Sequence, residues 1–457
     1  MKPTLTVSGH QSGATAAFKR TLGSLDLVAI GIGGIIGAGV FTLTGVVAGT
    51  YAGPALVISF ILASAGCALA GLCYSEFAAM MPVGGSAYSY AFAAFGELPA
   101  WIIGWDLILE YCVGAATVAI GWSQTLRALM DGFGLELPRS DIFNWPALLI
   151  VALVSFVLIR GIRESASLNA LTVILKVTIL IVFIVVGWAY MQPSNHTPLI
   201  PANEGTFGRF GWSGIVSGAG VIFFAYIGFD AVSTAAQESK NPGRDLPIGI
   251  LGSLGICTAL FILYAWVLTG IVNYRELNVA APLSLALAKL PFPWLAILMN
   301  LAVLAGLTSV VLVMLLGQSR VFHSMARDGL LPEMFGELHP RYNTPWRCNI
   351  LLMLFVGCFA SFSSIGFVGA MTSIGTLFAF TLVCAGVIVM RRRDAGRPRP
   401  FRTPWVPVVP ALGVIVNLLL MFGLGVGNWV RLLGWLAIGL ILYFGRKRMA
   451  SRLSQQS

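Results

Sequence analysis

Long apolar runs alternate with short polar segments along the whole chain. A bilayer core about 30 Å thick needs about 20 apolar residues in a helix, and twelve runs approach or exceed that length. The runs lie at 25–49, 53–79, 98–129, 146–160, 168–190, 213–235, 248–272, 292–319, 349–364, 366–389, 405–424 and 430–445. The pattern therefore predicts an all-α integral membrane protein with twelve transmembrane helices, called spans 1 to 12 below.

Composition and charge placement support this fold class. The chain is 57% hydrophobic and 10% charged, whereas soluble domains are about 45–50% apolar and about 25% charged. If the N-terminus is cytoplasmic, inner segments hold 21 Lys and Arg residues and outer loops hold six, as the positive-inside rule requires. We therefore expect a multi-pass protein of the cell membrane with both termini cytoplasmic. The net charge of +10 then reflects topology and contact with membrane lipids, and we predict no nucleic-acid partner.

Two spans contain glycines at a density that helices tolerate poorly. Span 1 has five glycines between Gly31 and Gly39, and span 6 has Gly228 followed by Asp230. Each glycine costs about 0.8–1 kcal/mol relative to Ala inside a helix, so both spans should be broken. Helix packing through a G-x-x-x-G motif is the alternative, but it does not explain why span 6 matches span 1.

The broken spans lie five apart, which divides the first ten spans into two units of five. An odd number of spans per unit inverts the second unit relative to the first, and paired broken helices mark a substrate site near the midplane. The predicted organisation is a tail at 1–22, a first repeat at 23–190, an inverted repeat at 213–390 and two additional helices at 405–446.

A broken helix presents free backbone amides and carbonyls to a ligand. We expect the amides of Gly37, Ala38 and Gly39 to bind a carboxylate. Carbonyls near Ile35, Phe224 and Ile227 are expected to bind an ammonium group. Such a site suits an amino acid zwitterion, because neither charge then needs a side chain of opposite charge.

Four stretches resemble the amino acid–polyamine–organocation superfamily, and within it the cationic amino acid transporter family and its bacterial relatives. These stretches are Gly31 to Phe41, Met81 to Tyr90, Tyr226 to Pro247 and Met325 to Pro332. The resemblance implies a five-plus-five inverted-repeat core, two peripheral helices and alternating access for an L-amino acid. It also implies the same carboxylate and ammonium positions, with Phe224 as an aromatic gate.

One position departs from the cationic members of that family. They tend to have a small polar residue in span 8 where this chain has Met314. A methionine would shorten the pocket and offer no polar partner to a guanidinium, so we expect small neutral substrates to be favoured, while cationic ones stay open.

Carboxyl groups inside spans are costly and usually face a cavity or a partner. Asp106 and Glu110 are four residues apart in span 3 and share one helix face. Glu110 is a candidate substrate contact, with a buried structural carboxylate as the alternative. Asp230 could cap the helix after the break, and Glu76 is expected at the membrane interface.

Lys176 is the only charged residue of span 5. At 1.5 Å per residue it lies roughly 12 Å from one end and 18 Å from the other, beyond the reach of a snorkelling side chain. The chain resembles family members in which this ammonium takes the place that sodium has in sodium-driven relatives. We therefore predict that Lys176 couples transport to protons, close to span 1 carbonyls and to Thr308 and Ser309.

The predicted function is proton-coupled symport of an L-amino acid, by a monomer without cofactor or metal. Exchange or facilitated diffusion on the same fold remains open, and so does an amino acid receptor. No Walker A motif is present, and no carbonyl-filter motif indicates a channel. No two of the four histidines have metal-ligand spacing, so we do not expect an enzyme.

Overall fold

The computed structural model describes residues 20–81, 86–138, 142–161, 166–279, 281–342 and 344–454. Most of the predicted N-terminal tail and part of the Met81 to Tyr90 stretch therefore lie outside the described residues. Within these ranges the chain is helical, and its only β-type pairing is a single bridge between Leu22 and Ser239. The α-helices are α1 Ser24–Ile35, α2 Thr44–Val47, α3 Leu56–Met80, α4 Ser86–Phe95, α5 Glu97–Ile108, α6 Gly114–Gly132, α7 Trp145–Arg160, α8 Ala166–Trp188, α9 Gly211–Ile222, α10 Ala231–Thr234, α11 Pro242–Ile271, α12 Pro282–Ala288, α13 Pro293–Arg327, α14 Trp346–Phe362, α15 Ile365–Arg393, α16 Val408–Gly423 and α17 Val426–Ser454.

Seven helical stretches in the described ranges are long and apolar enough to cross a membrane. The first, Ser24–Met80, has 57 residues and is interrupted at Gly53, whose φ of 62° precedes Pro54. Four shorter apolar helices, α7, α9, α14 and α16, accompany them. The chain is thus a multi-pass membrane protein, as its composition predicts.

Both glycine-rich spans are broken where the sequence predicts. Helix α1 ends at Ile35, and Ile36 is extended, with φ −74° and ψ 101°. The chain resumes as a π-helix at Gly39–Leu43. Helix α9 is followed by a 3₁₀ turn, and Ile227 is then extended, with φ −60° and ψ 136°.

The two breaks touch each other through backbone atoms. A Cβ built on Gly34 would lie 2.9 Å from the Gly228 carbonyl oxygen. A Cβ on Gly228, which has φ 116°, would lie 2.6 Å from the Gly34 carbonyl carbon. No side chain fits this approach, so glycine is required on both sides of the contact.

The remaining helices hold this centre in place. Helix α11 packs along α1 and α3, and α13 packs along α6. Two short helices that the apolar pattern does not predict, α4 and α12, lie outside the long runs. Helix α17 is attached to α5 by reciprocal indole hydrogen bonds, since Trp105 and Trp435 each donate to the other's carbonyl, at 2.8 and 3.1 Å.

Glu76 is buried near the end of α3, and its interfacial depth stays a prediction. It is 2% exposed, and its carboxylate accepts two hydrogen bonds from Arg391, at 2.8 and 2.9 Å. Arg399 lies 3.2 Å from the same carboxylate, and the Thr403 amide donates to it at 2.8 Å. Glu76 therefore joins the end of α3 to the end of α15 and the segment that follows it.

Candidate functional site

In the described part of the chain, backbone amides without a backbone hydrogen-bond acceptor lie where α1 is interrupted. Because Ile36 is extended, the residues after it cannot continue the i to i−4 hydrogen bonds of α1. Among the described residues, no backbone carbonyl accepts from the Gly37, Ala38 or Gly39 amides. All three residues are buried. The predicted carboxylate site thus consists of three neighbouring unpaired donors, which is the arrangement that binds anions at a helix N-terminus.

Gly37 and Gly39 face different helices. A Cβ on Gly37 would lie 3.3 Å from Val310 of α13, a contact that a small adjustment of that side chain relieves. A Cβ on Gly39 would lie 2.2 Å from the Ala225 Cα, which belongs to backbone and cannot give way. Substitution of Gly37 therefore tests ligand binding, whereas substitution of Gly39 would also disrupt the packing of the two breaks.

The predicted ammonium acceptors lie at the end of α1 and in and just after the 3₁₀ turn that follows α9. Ile35 is the last residue of α1 and is 2% exposed. Phe224 and Ile227 are 4% and 3% exposed. The Phe224 carbonyl already accepts from the Ile227 amide at 3.2 Å, but a carbonyl oxygen has a second lone pair for a ligand.

Lys176 is fully buried, and its ammonium donates to the Gly33 carbonyl at 2.8 Å. In a continuous helix this carbonyl would accept from the Gly37 amide. Because the break removes that hydrogen bond, the carbonyl is available to accept from the lysine. The lysine stem lies against Gly306 of α13, where an added Cβ would be 3.1 Å from its Cγ and Cε. Lys176 thus touches α1 and α13 from α8.

The two hydroxyl residues predicted beside Lys176 lie on α13 near Gly306. Thr308 donates to the Leu304 carbonyl at 2.8 Å and accepts from the Trp122 indole at 3.0 Å. Ser309 is 8% exposed. The Trp122 bond connects α6 to α13, which the sequence pattern did not indicate.

A buried acidic residue, Asp230, follows the break in span 6. Tyr111 donates to the Asp230 carboxylate at 3.0 Å. The Asp230 side chain therefore bonds to the turn that precedes α6 and does not cap α10. Glu110 lies in the same π-helical turn, Leu109–Val113, and is 1% exposed. Tyr111 was missed from the sequence because tyrosine in a span is usually a packing residue.

Met314 lies between three helices. It is 6% exposed, and an added Cβ on Gly114 would lie 3.3 Å from its sulfur and 3.5 Å from Thr372. Gly114 follows Glu110 by four residues, which is about one helical turn. Because Met314 lies against Gly114, it lies about one turn along the helix from Glu110. Met314 therefore fills space between α6, α13 and α15.

Comparison with known proteins gives consistent matches over the whole chain. The amino acid permease family model matches residues 22–443. The chain is 40% identical over 464 residues to the methylthioribose transporter of Bacillus subtilis, covering 99% of this chain and 98% of that protein. It is 41% identical over 452 residues to the branched-chain amino acid permease BcaP of Bacillus subtilis, covering 96% and 95%. It is 38% identical over 390 residues to the vacuolar cationic amino acid transporter 4 of Arabidopsis thaliana, covering 81% of this chain and 63% of that protein.

Proposed function

Because the chain belongs to the amino acid permease family of the amino acid–polyamine–organocation superfamily, we propose that it is a proton-coupled symporter of L-amino acids. The family consists of transporters and not of enzymes. The observation that carries the proposal is the pair of broken helices with free amides at Gly37–Gly39 and a buried lysine on the neighbouring Gly33 carbonyl.

The proposed architecture has twelve spans arranged as two inverted repeats of five and two peripheral helices. The stretch Ser24–Met80 counts as two spans, because Gly53 divides it. Its six long companions and the four shorter apolar helices supply the other ten. The breaks then fall in the first span of each repeat, 23–190 and 213–390, with both chain ends in the cytoplasm.

The proposed substrate is a small neutral L-amino acid. Its carboxylate would accept from the Gly37, Ala38 and Gly39 amides, and its ammonium would donate to carbonyls near Ile35, Phe224 and Ile227. Met314 would limit the side chain at the far end. Methylthioribose is a second candidate class, supported by the 40% identical transporter, and it carries neither a carboxylate nor an ammonium group.

Protonated Lys176 would hold α1 to α8 through the Gly33 carbonyl, while its stem packs against Gly306 of α13. A neutral amine is a weaker donor to a carbonyl than an ammonium. Loss of the proton would therefore release the broken helix from α8, which permits the movement that opens the site to the other side.

Uptake into proteoliposomes tests this function. Labelled alanine, leucine, arginine and methylthioribose are offered with and without an inward proton gradient, and with sodium varied. We expect alanine to accumulate with the proton gradient and independently of sodium. Lys176→Met should abolish gradient-driven accumulation yet keep counterflow of alanine. Lys289→Met, which removes an exposed lysine paired with Glu276, is the matched control.

Each alternative gives a different result. Counterflow by the wild type without gradient-driven accumulation would identify an exchanger or facilitator. Binding without any uptake would identify a receptor. Continued proton-driven accumulation by Lys176→Met would refute the coupling role of the lysine.

A further inference from the structure

A wide cleft lies at the end of the molecule where α6 ends and α13 begins. Its volume of about 1150 Å³ is somewhat larger than the roughly 300–1,000 Å³ range of small-molecule sites. The walls come from the last turns of α6, from α12, from the first turns of α13 and from Ser361–Ile365 before and at the start of α15. None of the residues assigned above to the substrate site lines it.

The cleft carries two opposite charges on one helix face. Arg127 and Asp131 both line it, and residues four apart on a helix are neighbours, with Cβ atoms roughly 5–6 Å apart. Arg127 donates one hydrogen bond to the Pro138 carbonyl, at 3.1 Å, and a guanidinium has five N–H donors in all. Asp131 already takes part in an interaction, and a carboxylate can accept several hydrogen bonds at once.

The remaining walls suit the rest of an amino acid. Ile120, Phe143 and Ile297 supply apolar surface for a side chain. Asn300 lines the opposite wall, and its carbonyl oxygen accepts from Ser284 at 2.7 Å. The charged pair and the apolar surface thus face one space, as small-molecule sites require.

The floor of the cleft reaches the depth of the broken helix. Ile120 lines the cleft, and the next residue, Gly121, faces Thr42 and Ala38, where an added Cβ would lie 2.8 and 3.6 Å from their side chains. At 1.5 Å per residue, Arg127 lies roughly 9 Å along α6 from the level of Ala38. The deepest α6 residue of the cleft therefore lies at about the level of the proposed carboxylate site along that helix.

We propose that this cleft is a second, weaker amino acid site, in which Arg127 binds the carboxylate and Asp131 binds the ammonium before the substrate moves to the Gly37–Gly39 amides. This inference rests on the proposed function and adds a loading step to it. The cleft site is the weaker one because water screens its charges, whereas the central site is buried.

Binding stoichiometry of labelled alanine on the purified full-length protein tests the cleft. We expect two sites per chain in the wild type, with only the weaker one sensitive to sodium chloride. Arg127→Gln should weaken that site at least about tenfold, since it removes a charge-assisted contact, and should leave the tight site within twofold. In transport, the KM should rise while kcat stays unchanged. Gly37→Val, which crowds the central site, should retain only the weak site, and the double variant should bind nothing.

Arg209→Gln removes a basic loop residue that does not line the cleft and should keep both sites. A single site in the wild type, or two unchanged sites in Arg127→Gln, would overturn the cleft and leave the proposed function standing. If the wild type bound none of the amino acids offered, the proposed function would fail, and the loading step with it.

Discussion

Gly306 contacts Lys176, so a substitution at Gly306 can displace the lysine side chain while the lysine itself stays unchanged. In Gly306→Ala the new methyl carbon would lie 3.1 Å from Cγ and Cε of Lys176. An ordinary carbon–carbon contact begins at about 3.5 Å, so the stem must move by roughly 0.4 Å. A shift of that size along the bond would lengthen the hydrogen bond to Gly33 from 2.8 Å to about 3.2 Å, the usual limit for such a bond.

The expected magnitude follows from the strength of that bond. A hydrogen bond to a charged group contributes about 1.5–3 kcal/mol, and loss of about half of it corresponds to about 1 kcal/mol, or roughly fivefold in an equilibrium. We therefore expect the ratio of uptake rates with and without a proton gradient to fall about fivefold in Gly306→Ala. Equilibrium affinity for alanine should change less than twofold, because the amides of the central site are untouched.

The assay is paired initial-rate uptake in proteoliposomes, with binding measured on the same preparation. Gly255→Ala is the matched control, since it makes the same change within a long helix where an added Cβ meets nothing within 4 Å. Both variants gain helix propensity, about 0.8–1 kcal/mol, so a propensity effect would appear in both. If Gly306→Ala matched Gly255→Ala in its response to the gradient, the contact would have no role in coupling.

Two further predictions concern specificity and stability. Met314→Ser opens space between α6 and α15 and should raise uptake of arginine or lysine relative to alanine. Met299→Ser, at another buried methionine of α13, should not. If the ratio of cationic to alanine uptake stays unchanged in Met314→Ser, Met314 does not line the pocket. Glu76→Gln leaves Arg391 and the buried Arg399 without their carboxylate and should destabilise the detergent-solubilised protein by about 3 kcal/mol. Glu276→Gln, in an exposed pair with Lys289, should cost less than about 1 kcal/mol, and equal melting temperatures for these two variants would contradict the structural role of Glu76.

The amino-acid sequence by itself determined the membrane class, the breaks in two helices and the depth of Lys176. These features depend on composition and on spacing along one helix. A helix of twenty apolar residues needs a bilayer or a protein core of similar thickness around it. Five glycines in nine residues destabilise any helix. A lysine in the middle of an apolar run lies far from both ends of its helix. None of these arguments requires knowledge of a neighbour.

Only the tertiary structure decided which groups meet. The Gly34–Gly228 contact joins residues 194 positions apart. The family resemblance predicts a span 1 carbonyl as the partner of Lys176, and the structure identifies that carbonyl as the one of Gly33. Glu76 lies near the end of an apolar run, and only the structure shows that arginines more than 300 residues later cover it. Contacts of this kind depend on how helices pack against each other, and the hydrophobic period of a helix specifies which face is buried but not which partner covers it.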